Sequence, residues 1–459
     1  MRQRTPARLE SQRRPTPFFS SLLVPLLALL CGCRGTVPPA APAGPTPDTV
    51  LSMNRVAERY VKLVLAVGRH DADYVDAYYG PPEWKTEAQG GKRPLPEIRA
   101  EAISLLGEIA RIPAAGEDEM AALRRRYLAR QLESLAARVE MLAGKKMSFD
   151  EESKALYDAV APTVSEEELR KVNEELSRLL PGSGPLAARY DAFRGKFVIP
   201  REKLDAVFTA AIEAACERTK AHIPLPPGES FTVEYVTGKA WGAYNWYQGN
   251  FRSLIQVNTD LPIYIDRALD LACHEGYPGH HVYNVLLEKN LVRDRGWIEF
   301  TVYPLFSPQS LIAEGSANFG IEVAFPGKER DDFERKVLFP LAGLETSLVE
   351  RYEAMLKLTE RLTYAGNEAA RRYLNGQIDR AAAAAWLVEH AATPPARAEK
   401  QVRFIEQYRS YVINYNLGKD LVRRYLEGNG GTGDNSESRW REFALLLSSP
   451  RLPSGLAVK

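Results

Sequence analysis

Histidine is scarce in this chain: six residues in 459, at positions 70, 222, 274, 280, 281 and 390. Cysteine is scarcer, with four, so a disulfide framework does not hold the fold together. There is no basic stripe, no glycine-rich phosphate loop and no internal repeat. Charge of one sign is lacking too. The formal net charge is +1, and residues 1–32 hold five Arg against one Glu, so the remainder stands near −3. That balance excludes nucleic acid and acidic polymers as electrostatic partners. What is present is ordinary for a globular protein, 45% apolar and 26% charged residues, in a chain long enough for one large domain or two intimately packed ones.

The N-terminus reads as an export signal. Arg2, Arg4, Arg8, Arg13 and Arg14 precede an apolar run from Phe18 to Leu30, interrupted by Pro25. The run is shorter than the roughly 20 residues a bilayer span needs, which fits the charged and apolar regions of a secretory signal. It ends in Leu30-Cys31-Gly32-Cys33, which resembles a bacterial lipobox with Cys33 as the lipidated residue. An ordinary cleaved signal with a coincidental Cys is the simpler alternative. The Arg13-Arg14 pair hints at twin-arginine export, but its flanks match poorly. Arg34 after Cys33 resembles lipoproteins sorted outward, so lipid anchoring in the cell envelope is expected, at the outer membrane where one exists. Residues 33–49 are rich in Pro, Ala and Gly and read as a tether. Of the other cysteines, Cys216 and Cys273 sit in apolar helical patterns and read as buried free thiols, with a disulfide between them as the alternative.

From residue 50 the pattern predicts a mainly α-helical domain reaching to 427. Ser148 with Glu151 and Ser165 with Glu168 have capping-box spacing. Leu169, Val172, Leu176 and Leu180 share one helical face. Another helix is expected over about 201–221. Phe231–Val236 and Ser253–Val257 read as strands, with an aromatic segment, Trp241 to Tyr247, and a Gly249-Asn250 turn between them. One small sheet thus interrupts the helices. Residues 428–459 read as a flexible linker, a short helix and a loose end.

Three of the six histidines fall within eight residues, in HEGYPGHH (274–281). Zinc hydrolases commonly place HExxH on a helix, so that two His four apart bind the ion and the Glu serves as general base. Here the spacing is longer. On an unbroken helix His280 lies about 600° and about 9 Å beyond His274, and His281 about 10.5 Å along the same face. Neither suits Zn–N bonds of about 2.0–2.1 Å. Pro278 cannot donate to the carbonyl of His274, and Gly279 permits unusual dihedrals. A two-residue bulge there brings His280 to the second ligand position, with His281 as the competing assignment. A turn with clustered His and no metal is the plain alternative.

A third ligand is offered by Glu314, 40 residues after His274, inside a helix that starts at Ser307-Pro308 and runs to about Phe325. Its small neighbours Ala313, Gly315 and Ala317 allow another helix close. Buried among them, a carboxylate calls for a partner or a metal, and Asn318 lies one turn on. A surface Glu is the alternative.

HEGYPGHH followed by EGSANFGIE resembles the bacterial domain-of-unknown-function family 885. That family is similar in fold to the carboxypeptidase Taq-type (gluzincin) metallopeptidases, nearly all helical with a small sheet beside the active site. The resemblance covers roughly residues 150–427, including Ile199-Pro200-Arg201, LPPGESFTVEYV and RSYVINYNLG. It implies His274 and His280 as metal histidines, Glu275 as general base and Glu314 as third ligand. Departures occur at Ser316, where Trp is usual, at Ile321, where a second Glu is common with Glu322 one residue late, and in YVINYNLG, which lacks a Pro-Gly-Gln.

The expectation is a zinc-dependent hydrolase, a peptidase or carboxypeptidase-like enzyme, in which Glu275 deprotonates a water polarised by the metal and passes the proton to the leaving amine. Tyr415, with Tyr411 behind it, is the candidate oxyanion donor. Trp241, Tyr244 and Trp246 are candidates to line the cleft beside a strand that pairs with an extended peptide, with plain aromatic packing as the alternative. His281 and Asn318 are expected near the ligands or the substrate. Two other readings stand: a hydrolase of non-peptide amides or esters, and a non-catalytic envelope lipoprotein that binds through the same scaffold.

Overall fold

The computed structural model describes residues 47–239 and 241–456. Local chemistry sets many of its helix starts. Ser148 and Ser165 both close full capping boxes, each side chain accepting from the backbone N–H three residues on while the Glu there returns the bond. These open helices Phe149–Tyr157 and Glu166–Leu179, and the second buries Leu169, Val172 and Leu176, with Leu180 buried just beyond its end. The architecture is mainly α-helical with a small sheet beside the site, as the residue pattern predicts.

Helix α1, Pro47–Val67, buries Met53, Tyr60 and Val64. Its first turn takes in residues 47–49, which composition assigned to the tether, because Pro at the first helical position and Asp48 in the first turn both favour a helix start. After β1 (Val75–Tyr78) and a series of helices, the predicted 201–221 helix appears as one turn of 3₁₀ at Arg201–Lys203 followed by α2 (Leu204–His222). The three-stranded sheet comprises β2 (Ser230–Val236), β3 (Ala243–Gly249) and β4 (Arg252–Asn258), in the order β2-β4-β3. β4 runs parallel to β2 and antiparallel to β3. The β3–β4 turn needs left-handed backbone at Gly249, Asn250 and Phe251, and a Cβ on Gly249 would come within 2.9 Å of Tyr79.

A second, two-stranded sheet was not expected. β1 pairs antiparallel with β5 (Val302–Pro304), over 200 residues away in sequence. Their register skips at Asp76: Val75 faces Pro304 and Ala77 faces Tyr303, so Asp76 is the extra residue of a β-bulge.

The helices that carry the site are α3 (Ile265–Leu271), α4 (His280–Leu287), α5 (Pro308–Ala324), α6 (Pro395–Tyr408) and α7 (Ile413–Gly428). α5 is buried on all sides; of its 17 residues only Asn318 and Glu322 are partly exposed. It begins at Pro308 as predicted, but Ser307 is not its side-chain cap. The fully buried hydroxyl turns back to donate to the carbonyl of Pro304 at 2.7 Å. α5 crosses α7 at Gly315 and Gly418, where a Cβ on Gly315 would stand 2.4 Å from the backbone of Gly418. The two backbones are in contact.

Residues 428–435 are exposed apart from Gly431, and the helix that follows them packs into the common core. Helix α8 (Ser436–Leu447) buries Trp440, Phe443, Leu446 and Leu447, and Arg439 donates to the carbonyls of Gly431 and Glu322. Cys216 and Cys273 are free thiols. Among the described residues no helix is long and apolar enough to cross a membrane. The signal segment, Cys33 and most of the tether lie outside the described residues.

Candidate metal centre

His274 and Glu275 stand on a widened turn. α3 continues into a π-helical stretch, Ala272–Gly276, and there the helix ends. The N–H of Tyr277 donates to the carbonyl of Ala272 and that of Gly279 to the carbonyl of Cys273. The Tyr277–Pro278 bond is cis. At Gly279 any Cβ would lie 1.9 Å from the carbonyl oxygen of His274, so only glycine fits. α4 then restarts at His280. The irregularity expected at 276–279 is therefore a complete break between two helices, not a bulge within one.

The break turns the two imidazoles onto each other. Their Nε2 atoms are 3.1 Å apart, with the rings nearly perpendicular at 89°. Glu314, from the middle of α5, reaches both: Oε2 is 3.5 Å from His274 Nε2 and Oε1 is 3.8 Å from His280 Nε2. A tetrahedral zinc with bonds near 2.0–2.1 Å requires ligand atoms about 3.3 Å from one another. The 3.1 and 3.5 Å separations lie close to that value, and the 3.8 Å one ends on the other oxygen of Glu314. Glu275 also brings an oxygen within 4.8 Å of both histidines, but at 4.0 Å from His274 Nε2 it is the more distant carboxylate. Glu314 reaches both histidines and Glu275 stands beside them.

Neighbouring groups orient these atoms. Asn318 donates its Nδ2 to the carbonyl of Tyr415 at 3.1 Å, which turns its Oδ1 toward His274 Nδ1, also 3.1 Å away. His274 must then carry its proton on Nδ1 and present a lone pair at Nε2, the tautomer a metal ligand needs. Tyr411 donates to Glu314 Oε1 at 2.8 Å, and Oε2 is left buried with no hydrogen-bond partner. The side chain of Asn245, from β3, donates to the carbonyl of Glu275 at 2.7 Å and ties the sheet to the break.

The protonation preferences describe a site short of positive charge. Burial lowers the His274 pKa to about 3, with Arg267 adding to the effect, and burial followed by His274 pushes His280 well below the usual range. Burial raises Glu314 to about 8 against the Tyr411 hydrogen bond, and burial with the neighbouring Glu314 charge drives Glu275 well up. Neutral imidazoles are what a metal requires, and the buried carboxylates gain most from a divalent cation. The orphaned Glu314 oxygen, the His274 tautomer and the ligand spacing all fit zinc.

His281 does not join the cluster. Fully buried, it contacts Glu229 through Nε2 at 2.8 Å and the Ser253 hydroxyl through Nδ1 at 2.9 Å. Glu229 also accepts from Tyr277 and pairs with Lys220. Burial alone would raise the Glu229 pKa, but these bonds hold it at about 2.

Trp241, Tyr244, Asn318, Tyr411 and Tyr415 all line one cavity of about 490 Å³ with His274, Glu275, His280 and Glu314. Tyr415 is 36% exposed there. Glu322, one residue late for the resembled pattern, pairs with Lys419 and Arg423. Sequence reading missed Asp73, Asp76, Tyr303, Lys400, Phe404 and Tyr408 in the cavity wall. For α6 a signal existed: Lys400, Phe404 and Tyr408 repeat every four residues on one helical face.

No protein-family model matches this chain, and no curated protein does. Among solved structures, it is similar to one described as a lipoprotein from Colwellia psychrerythraea, with 14% identity and a TM-score of 0.48 over 79% of this chain and 68% of that one. It is also similar to an M32 carboxypeptidase from Deinococcus radiodurans R1, with 13% identity and a TM-score of 0.36 over 90% of this chain and 93% of that one. The functional reading rests on the residues of the site itself.

Proposed function

We propose that this chain is a zinc-dependent hydrolase acting on peptides, exported and held in the cell envelope by lipid on Cys33. One observation carries the enzymatic part: His274 Nε2 and His280 Nε2 stand 3.1 Å apart, the Glu314 carboxylate meets them at 3.5 Å through Oε2 and at 3.8 Å through Oε1, and Glu275 stands beside them, all facing a cavity of about 490 Å³. Zinc held by these three residues supplies Lewis acidity toward a carbonyl and toward water.

The protein's own groups do the rest. Glu275 takes the proton of the attacking water and returns it to the leaving amine. Tyr415 borders the cavity and donates to the oxyanion as it develops. Asn318 keeps the His274 lone pair aimed inward, and Tyr411 holds Glu314. Trp241 and Tyr244 supply an apolar wall, and the lining of β3 supports an extended substrate beside it. Residues 1–32 act as the signal and 33–46 as the tether; this part of the reading rests on sequence alone.

The test combines elemental analysis of freshly purified protein with turnover of a peptide library and a panel of small amides and esters. Expected are one zinc per chain and peptide cleavage that Glu275→Gln abolishes. Zinc with cleavage of small amides alone would redirect the substrate class. Protein without zinc and without turnover would leave a binding role for the scaffold and overturn the hydrolase reading.

A further inference from the structure

Asp76 has no part in the chemistry above, yet the fold takes some trouble to place it. It is the residue inserted at the β1 bulge, out of register with β5. Bulges re-aim a side chain, and this one stands in the wall of the cavity that holds the metal cluster. One carboxylate oxygen, Oδ1, accepts from the hydroxyl of Tyr244. Among the described residues no cation pairs with Asp76, although Arg267 and Lys400 border the same cavity. Burial is the whole cause that raises the Asp76 pKa to about 7, and the charged groups that feel Asp76 are the carboxylates Glu275 and Glu314. Asp76 also borders a second cavity with Arg69 and Lys85, but neither forms an ion pair with it.

Asp76 is partly buried, and a carboxylate so placed without a counter-ion gains from a ligand that supplies the charge. Zinc at the histidines satisfies Glu314 and leaves Asp76 as it was. The surroundings suit one kind of cation. The Tyr244 ring lies 5.6 Å from that of Trp241 and 4.4 Å from that of Trp246, so three aromatic rings cluster in the wall that also holds Asp76. Carboxylate with aromatic faces is the chemistry that recognises an ammonium group. Asp73, held by Gln407 at 3.1 Å, adds negative charge to the same wall.

We propose that Asp76 is a specificity residue that binds the free amino group of the substrate, so that the enzyme acts on short peptides from their amino-terminal end. The assignment rests on the hydrolase reading and deepens it. Tyr244 orients the carboxylate; the substrate's ammonium takes the second oxygen; the first peptide bonds then lie within the metal-bearing cavity. Acetylation of the amine removes the charge and adds bulk where Asp76 waits.

Two measurements decide it. In the first, the wild type and Asp76→Asn are compared on a dipeptide library with free and with N-acetylated amino termini. The expected result is a preference of about 10–100-fold in kcat/KM for the free amine, as for a hydrogen bond to a charged group. In Asp76→Asn the preference collapses, through KM more than kcat, while zinc content is retained. In the second, zinc-loaded Glu275→Gln protein is incubated with an equimolar pool of the two libraries, and the retained species are read by mass spectrometry. Selective retention of free-amine dipeptides, lost on adding Asp76→Asn, supports the assignment even if the wild type turns nothing over; in that case the hydrolase reading alone fails. Equal retention of both libraries, or retention of neither, overturns it. Two zinc ions per chain, falling to one in Asp76→Asn, would make Asp76 a metal ligand and overturn it too.

Discussion

Tyr411 donates to one oxygen of Glu314 at 2.8 Å and leaves the other oxygen buried without a partner. The hydroxyl thus fixes which way the carboxylate faces. Tyr411→Phe should keep the fold and weaken zinc binding by about 10–100-fold, the usual cost of losing a group that orients a ligand. Competition with a chelator of known affinity measures this. Unchanged affinity would remove Tyr411 from the metal-supporting shell.

Glu275→Gln preserves shape and removes the base. Zinc content should stay at one per chain while kcat falls by about 10²–10⁴-fold. Turnover near the wild-type rate would mean that another group takes the proton.

The paired histidines should separate cleanly. His280→Ala removes one of the two paired imidazoles, and the purified protein should come without stoichiometric zinc. His281→Ala should retain zinc but lose about 1–3 kcal/mol of stability, since its removal leaves Glu229 and Ser253 short of a buried partner. Metal analysis and urea unfolding of both variants check the pair. The opposite pattern would hand the ligand role to His281.

Glu229 predicts an acid response. Its folded pKa, about 2, lies below the unfolded carboxylate value near 4.3. A depressed carboxylate contributes stability above its unfolded pKa and loses it as pH falls through the folded one. Between about pH 4.3 and 2 the wild type should therefore lose stability more steeply than Glu229→Gln. Equal slopes in acid-unfolding curves would show that the network around Glu229 carries no linkage.

Cys33→Ala should release the protein from the membrane fraction, because a lipid chain is the expected anchor and no described helix spans a bilayer. Fractionation with an antibody to the folded domain reads this directly, and a variant that still pellets with membranes would point to another attachment.

Much of this was legible because the informative residues were close in sequence. Capping boxes, the Pro308 helix start and the HEGYPGHH string are local, and Pro278 with Gly279 announced a broken helix between the two histidines. The extent of the break was not legible, since it depends on a π-widened turn before it. β1 was hidden for a different reason. It has four residues and a partner over 200 positions away, so no turn or period marks it. Asp76 escaped with it, because a bulge has no alternation to follow. Ser307 looked like a side-chain cap, and only burial beneath β5 reveals that its hydroxyl is spent on Pro304.

The contact of Gly315 with Gly418 sets a gauge for the site. With backbone against backbone, the spacing between Glu314 and the chain that bears Tyr411 and Tyr415 is not adjustable by side-chain size. Sheet and cavity wall can vary and reshape what enters, but a single methyl at this crossing would push ligand and tyrosines apart together. If the proposed hydrolase reading holds, substrate choice and metal geometry fall to separate parts of the molecule, one free to drift and the other locked.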